Sequence, residues 1–222
     1  MNPILITGCA RSGTSLISNI IAKHEVFGGD ISGGVSKFTP TGICENTAIR
    51  DGIVKKYLKS IHVDPKGQFP LPNKSIIRPY PELKNDVDNI LKIHGWNGKD
   101  QWFYKGAKMT LLWELWHEAF PNAKWVLVRR NDKDIIDSCM RTSFMNKRKT
   151  EQEWQKWVNY HKDRFEEMKQ VLDIKEVWPE KMIHGDYMEM TDVLAFLKIR
   201  NRGTPNIMND TVNPKHWHNQ SK

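Results

Sequence analysis

A short loop near the N-terminus contains the residues with the clearest chemical potential. Two glycines, Gly8 and Gly13, enclose the cation Arg11, and the loop lies between an apolar run at 3–7 and a segment with helical spacing at 14–23. A tight loop that leads from a strand into a helix directs backbone N–H groups and the positive helix end towards an anion. The pattern therefore indicates a site for a phosphate or sulfate group.

The spacing of this loop is that of the nucleotide-binding pattern GxxxxGK[ST], but the lysine of that pattern is absent. Thr14 stands in its place, and the cation of the loop is Arg11. A nucleotide-hydrolysing loop without this lysine loses a point charge on the transferred phosphate. The clearest buried strand, 125–128, is followed by Arg129 and Arg130 rather than by a magnesium-holding aspartate. An ordinary kinase is therefore disfavoured, and a nucleotide kinase or NTPase with a degenerate loop stays as an alternative.

Two motifs resemble those of sulfotransferases that use 3′-phosphoadenosine 5′-phosphosulfate. The segment RSGTSL at 11–16 is similar to the 5′-phosphosulfate loop of that family. The segment RNDKDIIDS at 130–138 matches the family pattern R-N-x-K-D-x-x-x-S at every fixed position. The segment WFYK at 102–105, the helix after it and the Phe-Pro pair at 120–121 also resemble the family, so the resemblance covers the first 145 residues or so.

The resemblance implies where the two anionic ends of the donor bind. The 5′ end would be held by Arg11 and by the loop backbone that follows it. That part of the loop consists of Ser12, Gly13, Thr14, Ser15 and Leu16. Arg130 would hold the 3′-phosphate through its planar guanidinium, and Ser138 would add a hydroxyl. Leu16 departs from the family, in which many members carry a tryptophan near the adenine.

Transfer of a sulfuryl group needs cations for the charge that develops on the leaving phosphate, and a base for the acceptor. Arg11 is the expected electrophilic stabiliser. Lys105, at the position of the family's strand-end lysine, is a second. This scheme requires no metal. The pair His216 and His218 lies in a polar tail, and we expect it to be exposed to solvent rather than to ligate a metal.

The catalytic base departs from the family pattern. Members that act on small molecules carry a histidine two residues after the strand-end lysine, and here that position is Ala107. Other members use a carboxylate shortly after the first helix, which makes Glu45 the candidate. Glu45 could instead be a helix-end charge that complements the helix dipole. Asp30 and His24 are the alternative bases.

Strands and helices alternate along the chain and must position these residues. Strands are expected at 3–7, 102–104, 125–128 and 182–183, and helices at 14–23, 45–61, 85–94, 110–119, 132–143, 151–172 and 193–199. Such alternation predicts a three-layer α/β domain, with a central parallel sheet of about five strands and helices on both faces. The domain is expected at 1–200. The polar tail at 201–222 is expected to be extended over the surface or disordered.

Two further segments and the tryptophans complete the reading of the sequence. Five prolines in 64–81 predict an extended connection. The glycine-rich loop at 27–34 is either a mobile lid or a flexible surface loop. The nine tryptophans lie mostly on helix faces or strands and are expected in the core, although Trp154 and Trp157 could line an acceptor groove.

The composition is that of one soluble domain with excess positive charge. The 222 residues include 34 Lys and Arg against 26 Asp and Glu, a formal charge of +8. No run approaches the ~20 apolar residues of a membrane span, and the N-terminus lacks the features of a signal peptide. The three scattered cysteines argue against a disulfide framework or a zinc site. A cytoplasmic location is therefore expected.

The positive charge favours an anionic partner without identifying it. A non-enzymatic nucleic-acid-binding protein is an alternative, but apart from the cluster at 147–149 the basic residues are dispersed. We therefore expect no nucleic-acid partner. The expected acceptor is a small molecule, a carbohydrate or a peptide.

Overall fold

The computed structural model describes residues 2–32, 42–200 and 203–214. Within these ranges one sheet is formed by β1 (Ile4–Gly8), β2 (Phe103–Lys105), β3 (Lys124–Val128) and β4 (Ile174–Val177). The strands are parallel and lie in the order β2-β1-β3-β4. The expected α/β class with a parallel sheet is confirmed. The described residues contain four strands, one fewer than the five or so expected.

A helix follows each strand in the described ranges. The helices are α1 (Thr14–Lys23), α2 (Thr47–Ile49), α3 (Lys55–Ser60), α4 (Leu83–Ile93), α5 (Trp113–Ala119), α6 (Asp132–Arg141), α7 (Glu151–Val171), α8 (Pro179–Ile183), α9 (Met188–Phe196) and α10 (Thr204–Thr211). A π-helical turn (Arg50–Val54) joins α2 to α3, and 3-10 turns occupy Lys74–Ile76 and Ala107–Leu112. The expected helices are confirmed with shifts of a few residues. Helix α7 begins at a capping box between Thr150 and Glu153.

Both faces of the sheet are covered by helices. Alternate residues of a strand point to opposite faces, and here Leu5 and Trp125 belong to one buried cluster while Ile4 and Val126 belong to another. The first cluster includes side chains of α4 to α7, and the second includes side chains of α1, α9 and α10. Trp154 and Trp157 are buried in the first cluster, so they belong to the core and not to an acceptor groove.

The fourth strand lies at 174–177 and not at 182–183, where a strand was expected. Met182 and Ile183 form the last turn of α8, and Pro179 begins that helix. Strand β4 is an edge strand with one fully buried residue, Val177. Its sequence, IKEV, contains two adjacent charged residues, and the strand is stabilised by backbone pairing with β3.

A helix also forms in the segment that was expected to be extended or disordered. Helix α10 packs against α1, and its residue Met208 is buried. A short polar helix of this kind depends on tertiary packing. The division into a domain at 1–200 and a tail at 201–222 stays a prediction. The loop at 27–34 is described as far as 32, where Phe27 bridges to Trp102.

The topology brings the chemically interesting segments to one edge of the sheet. The chain leaves β1 for β2 on one side and later returns to β3 on the other, and ligands of open α/β sheets bind beyond the carboxyl ends of the strands near such a reversal. The glycine loop follows β1, Lys105 ends β2, and Arg130 follows β3. No helix within the described ranges has the length and hydropathy needed to cross a bilayer.

Candidate active site

The glycine loop after β1 has a tightly defined backbone. A Cβ atom on Gly8 would lie 2.4 Å from the carbonyl oxygen of Val128, so only glycine fits beside β3 there. Gly13 caps α1 with a φ of 97°, and Arg11 has a φ of 74°. A left-handed backbone at a non-glycine residue costs about 1 kcal/mol or more and is common at ligand sites. The Ser12 N–H donates to the carbonyl of Cys9 and closes the loop.

Arg11 joins the loop to the residues that follow β3. Its Nε donates to the Oγ of Ser138 at 2.9 Å, and its backbone carbonyl accepts a hydrogen bond of 2.9 Å from a terminal nitrogen of Arg130. The Nε of Arg130 lies 3.9 Å from a carboxylate oxygen of Asp134. Burial lowers the pKa of Arg11 and that of Arg130 below the ordinary value of an arginine. The structure thus gathers Arg11, Arg130 and Ser138 into one cationic group.

The helix after β3 places Ser138 correctly for this contact. The Asn131 side chain accepts a hydrogen bond from the Lys133 N–H and begins α6 at Asp132. Ser138 lies nearly two turns further on and is buried, as is Arg130. The asparagine of the RNDKD segment therefore has a structural role, which is to begin the helix that carries the serine.

A second group of polar side chains connects the start of α1 with the end of β2. The Nζ of Lys105 lies 3.4 Å from the Oγ of Ser15 and 3.6 Å from the Oε2 of Glu45. The Tyr104 hydroxyl donates to the Oε1 of Glu45 at 3.5 Å. Burial, and then the neighbouring Glu45, raises the pKa of Tyr104 well above its ordinary value. Tyr104 therefore stays protonated and available as a donor.

Glu45 lies ahead of its helix rather than inside the first turn. Helix α2 begins at Thr47, and Asn46 caps it by accepting a hydrogen bond from the Ile49 N–H. The Glu45 side chain instead lies in the cavity beside Lys105, and it is 11% exposed. This placement leaves its carboxylate at the cavity wall.

A cavity of about 360 Å³ lies at the carboxyl ends of the strands. Its walls come from the loop and first turn at 10–15, the stretch from 43 to 55, the segment 66–68, the end of β2 with the turn after it, and residues 144–145. Arg11, Ser15, Glu45 and Lys105 all contribute to this surface. Arg130 and Ser138 are outside it, on the far side of Arg11.

Several expected site residues lie elsewhere. Ser12 is fully buried, and neither Ser12 nor Leu16 lines the cavity. Asp30 is exposed and accepts hydrogen bonds from Ser32. His24 is buried, with its Nε2 3.4 Å from the Thr204 hydroxyl. The cavity thus contains Glu45 and neither of the two alternative bases.

The proline-rich segment is an ordered cavity wall that sequence reasoning missed. The Asp64 carboxylate accepts N–H groups from Lys66, Gln68 and Phe69. The Gln68 side chain then bonds to backbone groups at 144, 146 and 147. An aspartate followed by glycine and prolines is a turn signal, and it could have indicated this order but not the contact with the segment after α6.

Arg50, Lys55, Lys66 and Lys108 also line the cavity, and Tyr104 bonds to Glu45. Sequence reasoning singled out none of these five residues. Tyr104 and Phe103 are adjacent in β2 and point to opposite faces of the sheet, so they belong to different buried clusters. The described residues contain no group of three or more His, Cys, Asp or Glu side chains that could hold a metal ion. His216 and His218 lie outside the described residues.

The fold is similar to that of known proteins. The crystal structure of sulfotransferase STF9 from Mycobacterium avium is similar over 94% of this chain and 67% of that one, with a TM-score of 0.54 and 13% sequence identity. That of sulfotransferase STF1 from Mycobacterium tuberculosis matches with a TM-score of 0.46 and 12% identity, over 94% of this chain and 70% of that one. No curated protein sequence matches the chain. The model of the sulfotransferase family matches residues 3–199, nearly the whole described domain, and the chain belongs to that family.

Proposed function

We propose that the protein moves a sulfuryl group from 3′-phosphoadenosine 5′-phosphosulfate to a hydroxyl or amine of an acceptor. The observation that carries this proposal is the position of Arg11. Its guanidinium borders the cavity and also bonds to Ser138, while its carbonyl bonds to Arg130. Arg11 therefore lies between two anion-binding regions on neighbouring strand ends, and a donor with anionic groups at both ends fits that arrangement.

The side chains and backbone groups present suit the two ends of such a donor. The first N–H groups of α1 have no partner within the helix and attract an anion. Arg11, Lys105 and Ser15 lie around this helix start. Arg130 and Ser138 provide a guanidinium and a hydroxyl for the 3′-phosphate, and a planar guanidinium suits a phosphate through two parallel hydrogen bonds.

The donor supplies an activated sulfuryl group, and the protein's own residues position and stabilise the transfer. Arg11 and Lys105 stabilise the negative charge that develops on the leaving phosphate. Lys105 also lies next to Glu45, so the positive charge extends from the loop to the base. Holding both reactants in one cavity replaces an encounter in solution by a step within one complex.

Glu45 is the proposed general base. An Oε atom of Glu45 would take the proton of the acceptor hydroxyl or amine as the new bond to sulfur forms. Its carboxylate is fixed from two sides by Tyr104 and Lys105. Asp30 and His24 are disfavoured for this role because neither lines the cavity.

A ligand series on the wild-type protein tests the proposal before any acceptor is identified. Adenosine 3′,5′-bisphosphate, AMP and ATP with magnesium are added separately, and the rise in melting temperature is measured, which grows with the ratio of ligand concentration to Kd. We expect the largest shift with the bisphosphate. A larger shift with ATP and magnesium would favour a kinase, and equal shifts for AMP and bisphosphate would overturn the proposal.

Transfer itself is then measured with donor labelled in its sulfuryl group and a panel of hydroxyl and amine acceptors. Label is expected in an acceptor only when the donor and the intact loop are both present. A protein that binds the bisphosphate tightly but transfers no label to any hydroxyl or amine of a broad panel would contradict the assigned reaction.

A further inference from the structure

The charged side chains of the cavity are nearly all of one sign. Six cationic side chains and one carboxylate, that of Glu45, line it among the described residues. The cations are Arg11, Arg50, Lys55, Lys66, Lys105 and Lys108. Like charges held together raise the free energy of the folded protein unless an anion binds among them.

The proposed donor accounts for only part of this charge. Arg130 and Ser138, the proposed ligands of its 3′-phosphate, lie outside the cavity beyond Arg11. The 5′ end would engage Arg11 and Lys105 at the loop. The remaining four cations line the same cavity as Glu45 and have no role in the proposed donor site.

Two of these four are partly neutralised within the protein. Arg50 forms two hydrogen bonds to the Asp51 carboxylate, at 2.9 Å and 2.7 Å. Lys55 binds the same carboxylate at 2.7 Å. One carboxylate therefore serves two cations, and that carboxylate is half exposed, where the surrounding water weakens both pairs.

Lys66 and Lys108 have no carboxylate partner within the described residues. The positions outside the described ranges contain no Asp or Glu in the sequence, so no acidic side chain there could serve either lysine. The electrostatic neighbours of Lys108 are Glu45 and three cations, Lys55, Arg50 and Lys105, and burial lowers the pKa of this lysine. Lys108 thus lies among cations next to the proposed base.

These cations come from three separate chain segments that meet at one cavity. Arg50 and Lys55 belong to the π-helical turn and α3, Lys66 to the proline-rich wall, and Lys108 to the turn after β2. Lys66 is exposed and Lys108 is half-buried. The convergence of these cations on the cavity that Glu45 also lines suits an anionic ligand.

We propose that the acceptor is a small anionic molecule, or an anionic residue of a larger one. Its carboxylate, sulfate or phosphate ester would lie close to the hydroxyl or amine that receives the sulfuryl group. Lys66 and Lys108 bind this anion. The inference rests on the proposed function, because it treats the cavity as the acceptor side of a transferase. The anion would hold the nucleophile near the carboxylate of Glu45 and offset the repulsion among the cations.

Matched ligand pairs that differ by one anionic group test this inference. One pair is 4-methylumbelliferyl β-glucuronide and the corresponding glucoside, and the other is 4-hydroxyphenylacetate and its amide. Binding is measured by calorimetry on protein saturated with adenosine 3′,5′-bisphosphate, so that the donor site is already filled. We expect the anionic member of at least one pair to bind about ten-fold more tightly or better, as a charge-assisted contact provides.

The double variant Lys66→Gln/Lys108→Gln should lose this preference and bind the bisphosphate as the wild type does. The matched control is Lys92→Gln/Lys99→Gln, which removes the same charge at two exposed positions outside the cavity and should keep the preference. Melting temperatures of both variants show whether they are folded.

The outcomes separate this inference from the proposed function. Equal binding within both pairs, binding of no pair member at millimolar concentration, or a preference that survives in Lys66→Gln/Lys108→Gln would overturn the anionic acceptor. In each of these cases intact binding of the bisphosphate would leave the proposed donor in place. Failure of the wild type to bind the bisphosphate would instead overturn the proposed function itself.

Discussion

Replacing Arg130 provides the most direct test of how the donor binds, because a neighbouring arginine offers a matched control. Arg130→Gln removes the guanidinium that is proposed to hold the 3′-phosphate. Arg129→Gln removes the same charge one residue earlier, where the side chain bonds to Glu176 at 2.8 Å and packs over Phe165 and Trp178. The two variants have the same net charge and differ in whether the lost group faces Arg11.

The structure separates two effects of Arg130→Gln. Loss of the charge-assisted contact with the 3′-phosphate should cost about 1.5–3 kcal/mol, or roughly ten- to 150-fold in affinity, for the bisphosphate alone. Loss of the hydrogen bond to the Arg11 carbonyl makes the loop less ordered, which should weaken nucleotide binding by about 0.5–1.5 kcal/mol. This second cost applies to AMP as well, because AMP also uses the loop. The ratio of the two affinities therefore isolates the 3′-phosphate contact.

Calorimetric titration of AMP and adenosine 3′,5′-bisphosphate into wild type, Arg130→Gln and Arg129→Gln measures this ratio. We expect the preference for the bisphosphate to fall by about ten-fold or more in Arg130→Gln and to stay near the wild-type value in Arg129→Gln. Arg130→Lys, which keeps the charge but not the planar fork, should lie between them. An unchanged ratio in Arg130→Gln, or an equal fall in Arg129→Gln, would refute the assignment of the 3′-phosphate to Arg130.

Two further substitutions test roles in the reaction, and a third tests how a buried histidine affects stability. Arg11→Ala should weaken both nucleotides and nearly abolish transfer, since one preorganised donor to the developing charge contributes ~3–4 kcal/mol; wild-type turnover in the folded variant would contradict this role. Glu45→Gln should lower turnover on the order of 10²–10⁴-fold with little change in bisphosphate affinity, and unchanged turnover would show that Glu45 is not the base. Burial lowers the pKa of His161 to about 4 from 6.5, so the unfolded state binds more protons between these values and stability falls as pH decreases through that window. Between pH 7 and pH 5 the wild type should lose about 2 kcal/mol of unfolding free energy that His161→Phe does not lose, and parallel pH profiles in denaturant titrations would contradict this.

Local sequence patterns predicted the loop and helices around the proposed donor site because the determinants of these elements are contiguous. The bounds of α1 at 14–23 follow from a glycine at the helix start and apolar residues at helical spacing. The segment at 130–138 contains a cation, a helix cap and a serine at fixed separations along one helix. Each of these determinants lies within a few residues of the helix that it fixes. The local pattern was therefore sufficient to predict the helix.

The elements that were missed depend on contacts distant in sequence. Strand β4 shows no apolar run and is stabilised by pairing with β3, about fifty residues earlier. Helix α10 is stabilised by packing on α1, nearly two hundred residues away. Met182 and Ile183 are apolar, which suggested a strand, but Pro179 at the first turn favours the helix that forms.

The same distinction separates the proposed donor site from the rest of the cavity. The glycine loop and Arg130 each lie at a strand-to-helix junction, where a motif of a few residues contains both the proposed ligand group and the element that positions it. Arg50, Lys55, Lys66 and Lys108 have no common motif, and only the fold brings them to the cavity that Glu45 also lines. If the cavity binds the acceptor as we propose, the choice of acceptor depends on this surface and not on the two motifs. The cations that line the cavity together with Glu45 are therefore the part of this chain that should distinguish its substrate.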